Sequence, residues 1–140
     1  MDGTSEREAV IEIAAAVVRD GAGRIALVRK RGTTAFMQPG GKLERDESPR
    51  GCLERELSEE LGLSLADHPA RALGVFTAPA ANEPGHLVRA HLFLVERSGD
   101  LKPRAEIVEL RWVGPDMAGA LELAPLTREV VVPRFLAAPP

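Results

Sequence analysis

The 140 residues are enough for one ordinary domain with a real core and too few for two, so the chain reads as a single domain, 1–140. Hydrophobic residues make up 44% and charged residues 28%, and 18 basic against 21 acidic side chains give a net charge of −3, which excludes a disordered chain and lacks the basic field that long nucleic acid requires. Cys52 is the only cysteine, which rules out an intramolecular disulfide and a cysteine-built metal cluster within one chain.

Met1 to Glu8 is polar, without an apolar signal core, and no run approaches the roughly 18 apolar residues of a membrane span. Neither export nor a membrane partner is expected, and a reducing cytoplasm fits. Val10 to Arg19 and Arg24 to Arg31, joined through Asp20-Gly21-Ala22-Gly23, predict a hairpin with a glycine-dependent turn. Pro39-Gly40-Gly41 predicts a sharp break. Ser48 as cap, Pro49 in the first turn, leucines at 53, 57 and 61, and Gly62 as the left-handed stop predict a helix from Pro49 to Leu61. Strands are predicted over Arg71 to Thr77, His86 to Arg97 and Ile107 to Val113. A second helix is predicted over Leu126 to Leu136, which Pro133 should kink or end early. Strands mixed with two helices imply a layered α/β or α+β fold. Val130 to Val132 and Phe135 suit a docking surface as well as a core helix, which leaves a homodimer open.

Glu56, Glu59 and Glu60 stand at i, i+3 and i+4 and occupy about 100° of one helix face. Like charges at that spacing oppose folding by a few tenths of a kcal/mol per pair, roughly, and a divalent cation would turn the repulsion into binding. Hard oxygen ligands select Mg²⁺ or Mn²⁺. Taken alone, the three acids suit a solvated face as well as a metal site. The surroundings favour the site: Arg55 can fix one carboxylate with its rigid guanidinium, Gly40 and Gly41 allow close backbone approach, and Glu47 adds an acid at the helix entrance.

Gly41, five residues, Glu47, seven residues, then Arg55-Glu56-Leu57-Ser58-Glu59-Glu60-Leu61-Gly62-Leu63 resembles a complete Nudix box, G-x5-E-x7-R-E-U-x-E-E-x-G-U with U apolar. All nine constrained positions match, within 23 of the 140 residues. The resemblance implies a Nudix-like α/β/α sandwich with a mixed β-sheet. It also implies hydrolysis of a phosphoanhydride bond in a small nucleoside diphosphate-linked substrate. Glu56, Glu59 and Glu60 would bind metal, Gly41 would offer its carbonyl, Glu47 would support the site, and Arg55 would orient Glu56, itself a candidate to activate water. The family often adds a base or ligand from a later loop; Glu106 is the favoured candidate, before Glu109 and Glu83.

Outside the box, Lys42, Arg29 and Arg31 are candidates to hold outer phosphates. Phe36, Phe76 and Trp112 are candidates to stack on a base whose edge Asn82 or Gln38 would read, although strand aromatics usually serve a core. Gln38 departs from the apolar residue usual before Pro-Gly-Gly in the family. His68, His86 and His91 show no ligand spacing. Pro79, sixteen residues after Leu63, resembles the ADP-ribose-cleaving members, whereas the chain has no tyrosine at all and so lacks the downstream tyrosine associated with dinucleoside polyphosphate members. The short chain without an added domain looks more like the nucleoside triphosphate pyrophosphatases that clear damaged nucleotides. That reading ranks first, ADP-ribose or nucleotide-sugar cleavage second, and a non-catalytic nucleotide-sensing or interaction domain is the alternative of another class.

Overall fold

The first strand, β1 (Ala9–Arg19), is buried on both sides along its second half, so it must be covered by two layers. The computed structural model, which describes residues 9–66, 68–97 and 101–136, supplies both. Ala14, Ala16 and Val18 share a core with Cys52, Leu53, Leu57 and Leu61 of helix α1 (Pro49–Leu61). Ala15 and Val17 face the opposite core, which holds Val130, Val131 and Leu136 of the last helix (Thr127–Leu136). Successive strand residues point to opposite faces, so one strand serves both helices.

Five further strands complete the sheet: β2 (Ile25–Lys30), β3 (Gly40–Lys42), β4 (Ala70–Pro79), β5 (His86–Glu96) and β6 (Ile107–Val113). The order is β4-β5-β1-β2-β6, with β3 paired to β1 off this path. β1 runs parallel to β5 along all eleven residues and antiparallel to the rest of its neighbours, so the sheet is mixed as expected. The hairpin turn is set by Asp20, whose carboxylate accepts from the amides of Ala22 and Arg24, and by Gly23 at φ +82°.

α1 spans the residues predicted for it. Ser48 accepts from the Gly51 amide at 3.0 Å, Pro49 opens the helix, and Gly62 closes it at φ +65°. Leu53 and Leu57 are completely buried, and truncating either to alanine would cost about 2–5 kcal/mol.

Two expectations need correction. Gly40 to Lys42 is a short strand and not only a break, pairing Gly40 with Ala15 and Lys42 with Ile13. The last helix is not ended by Pro133 but runs through it to Leu136 with π-type winding. Its wider turns carry the Glu129 carbonyl away from the proline ring that would strike it in an α-helix. Val130 and Val131 are buried, and the partly buried Val132 and Phe135 pack against the same core, so these residues serve the fold. Met1 to Glu8 lies outside the described residues. Among the described residues no helix is long and apolar enough to cross a membrane.

Candidate active site

Arg55 organises the acids of α1. Its Nε and Nη2 donate to both oxygens of Glu47 at 2.8 and 2.9 Å, its Nη1 donates to Glu56 at 2.8 Å, and Nη2 also reaches the Lys42 carbonyl at 3.2 Å. The planar fork thus locks helix, helix entrance and β3 together. Hydrogen bonding from Arg55, with help from the Glu44 backbone amide, holds the Glu47 carboxyl down at about 2, and the same contacts raise Arg55 further above its ordinary value.

Glu60 faces inward. It is 2% exposed and accepts from the Gly40 amide at 3.2 Å. Burial pushes its carboxyl up to about 8; a hydrogen bond with Glu56 adds to the rise, and the Lys30 charge and Gly40 amide oppose it. In the unfolded chain the group ionises near 4.5, so between pH 4.5 and 8 the folded protein holds more protons than the unfolded one. Glu60 therefore contributes its full stability to the metal-free protein below 4.5 and loses it as pH rises toward 8, by an amount on the order of a few kcal/mol, whereas the lowered Glu47 works in the opposite direction, below 4.5. Thermal melts across this range should show the slope in wild type and a flattened one in Glu60→Gln, and a divalent cation should restore stability at the alkaline end. An unchanged slope in the variant would assign the effect elsewhere.

Glu59 lies on the same helix face, 56% exposed and 3.5 Å from Arg55 Nη1. Among the described residues no three candidate side chains already close around an ion. The donor set nevertheless fits a hard divalent cation: Glu56 and Glu60 touch each other, Glu59 is exposed on the same face, and the Gly41 backbone, whose carbonyl accepts from the Cys52 thiol at 3.4 Å, packs against the Glu56 carboxyl. A Cβ on Gly41 would sit 2.5 Å from the Glu56 carboxyl, so glycine there leaves the space in which Glu56 lies.

Glu106 is tied to this end of the molecule. The Arg31 amide donates to its carbonyl at 2.7 Å, Lys30 Nζ is 3.5 Å from its carboxylate, and the neighbouring Arg104 amide donates to the Glu60 carbonyl at 2.8 Å. Glu109 is committed elsewhere: Arg29 and Arg111 each donate to it at 2.9 Å, and the Arg29 bond is the main cause of its lowered pKa.

A cleft of about 150 Å³ opens beside Gly40 and Gly41. Ile11, Ile13, Met37, Val88 and Leu126 give it apolar walls, and Lys30, Gln38, Lys42, Asn82, Glu83 and Thr127 give it polar points. Lys42, Gln38 and Asn82 all line this cleft. Arg29 and Arg31 do not line it: Arg29 is held by Glu109 and by the Thr33 carbonyl at 2.8 Å, and Arg31 lies at the end of β2. Phe36 is 6% exposed in the core under the Arg111 guanidinium, Phe76 packs edge-on against Phe135, and Trp112 packs toward α1. Lys30 and Thr127 were not expected in the cleft. Period-two alternation puts Lys30 on the Ala26 and Val28 face, the side of α1, whereas the cleft takes Ile13 and Ala15 from the other face, so neither Lys30 nor Thr127 carries a sequence signal for the cleft.

A model of the NUDIX domain matches residues 11–135. The chain belongs to the Nudix family. As a Nudix hydrolase it acts on pyrophosphate bonds, and its relatives agree on the class. It is 34% identical to the CTP pyrophosphohydrolase of Escherichia coli over 122 residues, 83% of this chain and 84% of that protein. It is 38% identical to the 8-oxo-dGTP diphosphatase of Haemophilus influenzae over 58 residues, a match spanning 39% of this chain and 43% of that protein. The MutT protein from Methanosarcina mazei Go1 superposes with a TM-score of 0.74 at 25% identity, covering 91% of this chain and 94% of that one.

In this Nudix site Gly41→Ala separates chemistry from folding. The clash falls on the far end of a flexible side chain, so the protein should fold, with its melting temperature little changed, while displacement of the Glu56 carboxyl should lower kcat/KM at least about tenfold. Paired melting and kinetic measurements check both halves.

Proposed function

We propose that this Nudix hydrolase is a nucleoside triphosphate pyrophosphohydrolase using Mg²⁺ or Mn²⁺, carried by one domain. The observation that carries the reading is the adjacency of the carboxylate helix to a cleft with apolar walls and a few polar points, joined through Gly40, Gly41 and Lys42. The names of the Escherichia coli and Haemophilus influenzae relatives point to the same substrate class.

Glu56, Glu59, Glu60 and the Gly41 carbonyl would hold the cation, which when bound neutralises phosphate oxygens and acidifies water. Glu47 fixes Arg55 and Arg55 fixes Glu56, so that Glu56 presents one oxygen in a set direction. Glu56 is the first candidate to take a proton from water, and Glu106, steadied by Lys30 and by the Arg31 amide, is the second. Lys42 meets outer phosphates at the cleft mouth and Asn82 faces the base, while Gln38, its amide spent on Ala16 and Thr127, shapes the wall and does not read the base edge. The lone cysteine, buried Cys52, has its thiol pushed up to about 11 by burial, an unreactive state that suits a cytoplasmic protein.

A second reading, cleavage of ADP-ribose or a nucleotide sugar, draws on Pro79, which lines the cleft. A hydrolysis screen decides between them: canonical and oxidised nucleoside triphosphates, ADP-ribose, nucleotide sugars and dinucleoside polyphosphates, compared by kcat/KM. The first reading expects a triphosphate to lead with pyrophosphate as product. A diphosphate-linked sugar in the lead would replace it with the second, and nucleotide binding without any turnover would favour a sensing domain.

A further inference from the structure

Both lysines of the cleft are already neutralised by acids from loops. Lys30 lies 3.5 Å from Glu106, and Lys42 Nζ lies 3.1 Å from Glu83. Glu83 differs from Glu106 in lining the cleft itself, on the 80–85 loop between β4 and β5. A carboxylate at that place opposes an entering anion unless it moves.

Both ends of the Lys42–Glu83 contact are anchored, yet the contact is exchangeable. β3 holds Lys42 against Ile13, and its carbonyl accepts from Arg55. The loop is framed by Ala80 donating to the His86 carbonyl at 2.9 Å, by His86 donating to the Glu83 carbonyl at 3.1 Å, and by Gly85 at φ +78°. The two side chains are 64% and 41% exposed, and a water-accessible pair of this kind is weak enough for a multiply charged phosphate to displace. We infer that Glu83 is a built-in competitor for Lys42: its carboxylate straps the loop across the cleft of the free protein, yields Lys42 to the phosphate of an entering nucleotide, and reclaims it from the less charged product. The inference rests on the reading of Lys42 as a phosphate contact.

Kinetics of CTP hydrolysis and inhibition by CMP in wild type, Glu83→Gln, Lys42→Met and the double variant test it. Glu83→Gln should lower both KM and the CMP inhibition constant about two- to fivefold, the range of an exposed ion pair, and should do nothing further once Lys42 is removed. Equal values in Glu83→Gln and wild type, the same effect without Lys42, or a collapse of kcat at constant KM, as for a catalytic base, would each overturn it. Lys42→Met with an unchanged KM would instead remove the phosphate reading beneath it. Hydrogen exchange of residues 80–85 gives an answer that does not depend on turnover. Exchange should rise in both single variants without ligand, and inorganic triphosphate with Mg²⁺ should raise wild type to the level of Glu83→Gln. Unchanged protection in all of these states contradicts the strap even where Lys42 proves to bind phosphate.

Discussion

Glu60→Gln is expected to reduce hydrolysis at least about a hundredfold while leaving a folded protein that is more stable than wild type in the absence of metal above pH 8. The two halves share one cause. Glu60 is 2% exposed, so its negative charge is tolerated in the folded state only when something positive faces it. Glutamine keeps the shape and can still accept from the Gly40 amide, which removes the burial cost together with the charge that would bind a cation. Steady-state kinetics and metal-free melting of the same preparation measure both. Activity within about tenfold of wild type would mean that Glu60 is a structural acid, and lower metal-free stability in the variant would mean that burial does not oppose its ionisation.

Gly40→Ala is expected to damage the fold itself, by about 4 kcal/mol or more. A Cβ there would lie 2.2 Å from the Ala14 carbonyl oxygen and 2.6 Å from the Ala15 Cα, and the residue sits at φ +147°. Those neighbours are backbone atoms of the central strand, which no rotamer change can move aside. The loss should appear as a lowered urea midpoint or as insoluble protein, with little catalysis because the Gly40 amide that holds Glu60 moves as well. A midpoint close to wild type would show that β3 can detach from β1 at little cost. Adjacent glycines thus serve different ends: Gly40 lets two strands approach, and Gly41 makes room for a carboxyl.

What could be read from sequence alone follows from where the information lies. α1 was legible to the residue because its signals are local: Ser48, Pro49, the leucines at intervals of four, and Gly62 all act within a few bonds of the element they bound. The strand from Ile107 to Val113 was legible for the same reason. β3 was not, because Gly-Gly-Lys has no pattern of side chains, and its strand character comes from β1, more than twenty residues earlier. The parallel union of β1 with β5 is a long-range fact of the same kind. The box acids were legible as a group because helix spacing brings them together, and the structure adds that Glu60 turns inward, Glu56 is gripped by Arg55, and Glu59 stays exposed. The cleft was read less well. Arg29 and Arg31 border the glycine turn in sequence, but Lys30 between them is the one that lines the cleft. Gln38, the departure from the family pattern, is part of the framework: its amide donates to the Ala16 carbonyl at 3.1 Å and accepts from Thr127 at 3.0 Å, which joins the central strand to the last helix at the cleft wall.

The most direct measurement is phosphorus NMR of nucleoside triphosphate hydrolysis by the chelator-treated protein, followed through stepwise addition of Mg²⁺ or Mn²⁺. A metal-dependent hydrolase built on Gly41 to Leu63 predicts no turnover at the start and release of pyrophosphate that rises with the cation and saturates. Turnover that is equally fast with no divalent cation present would contradict it.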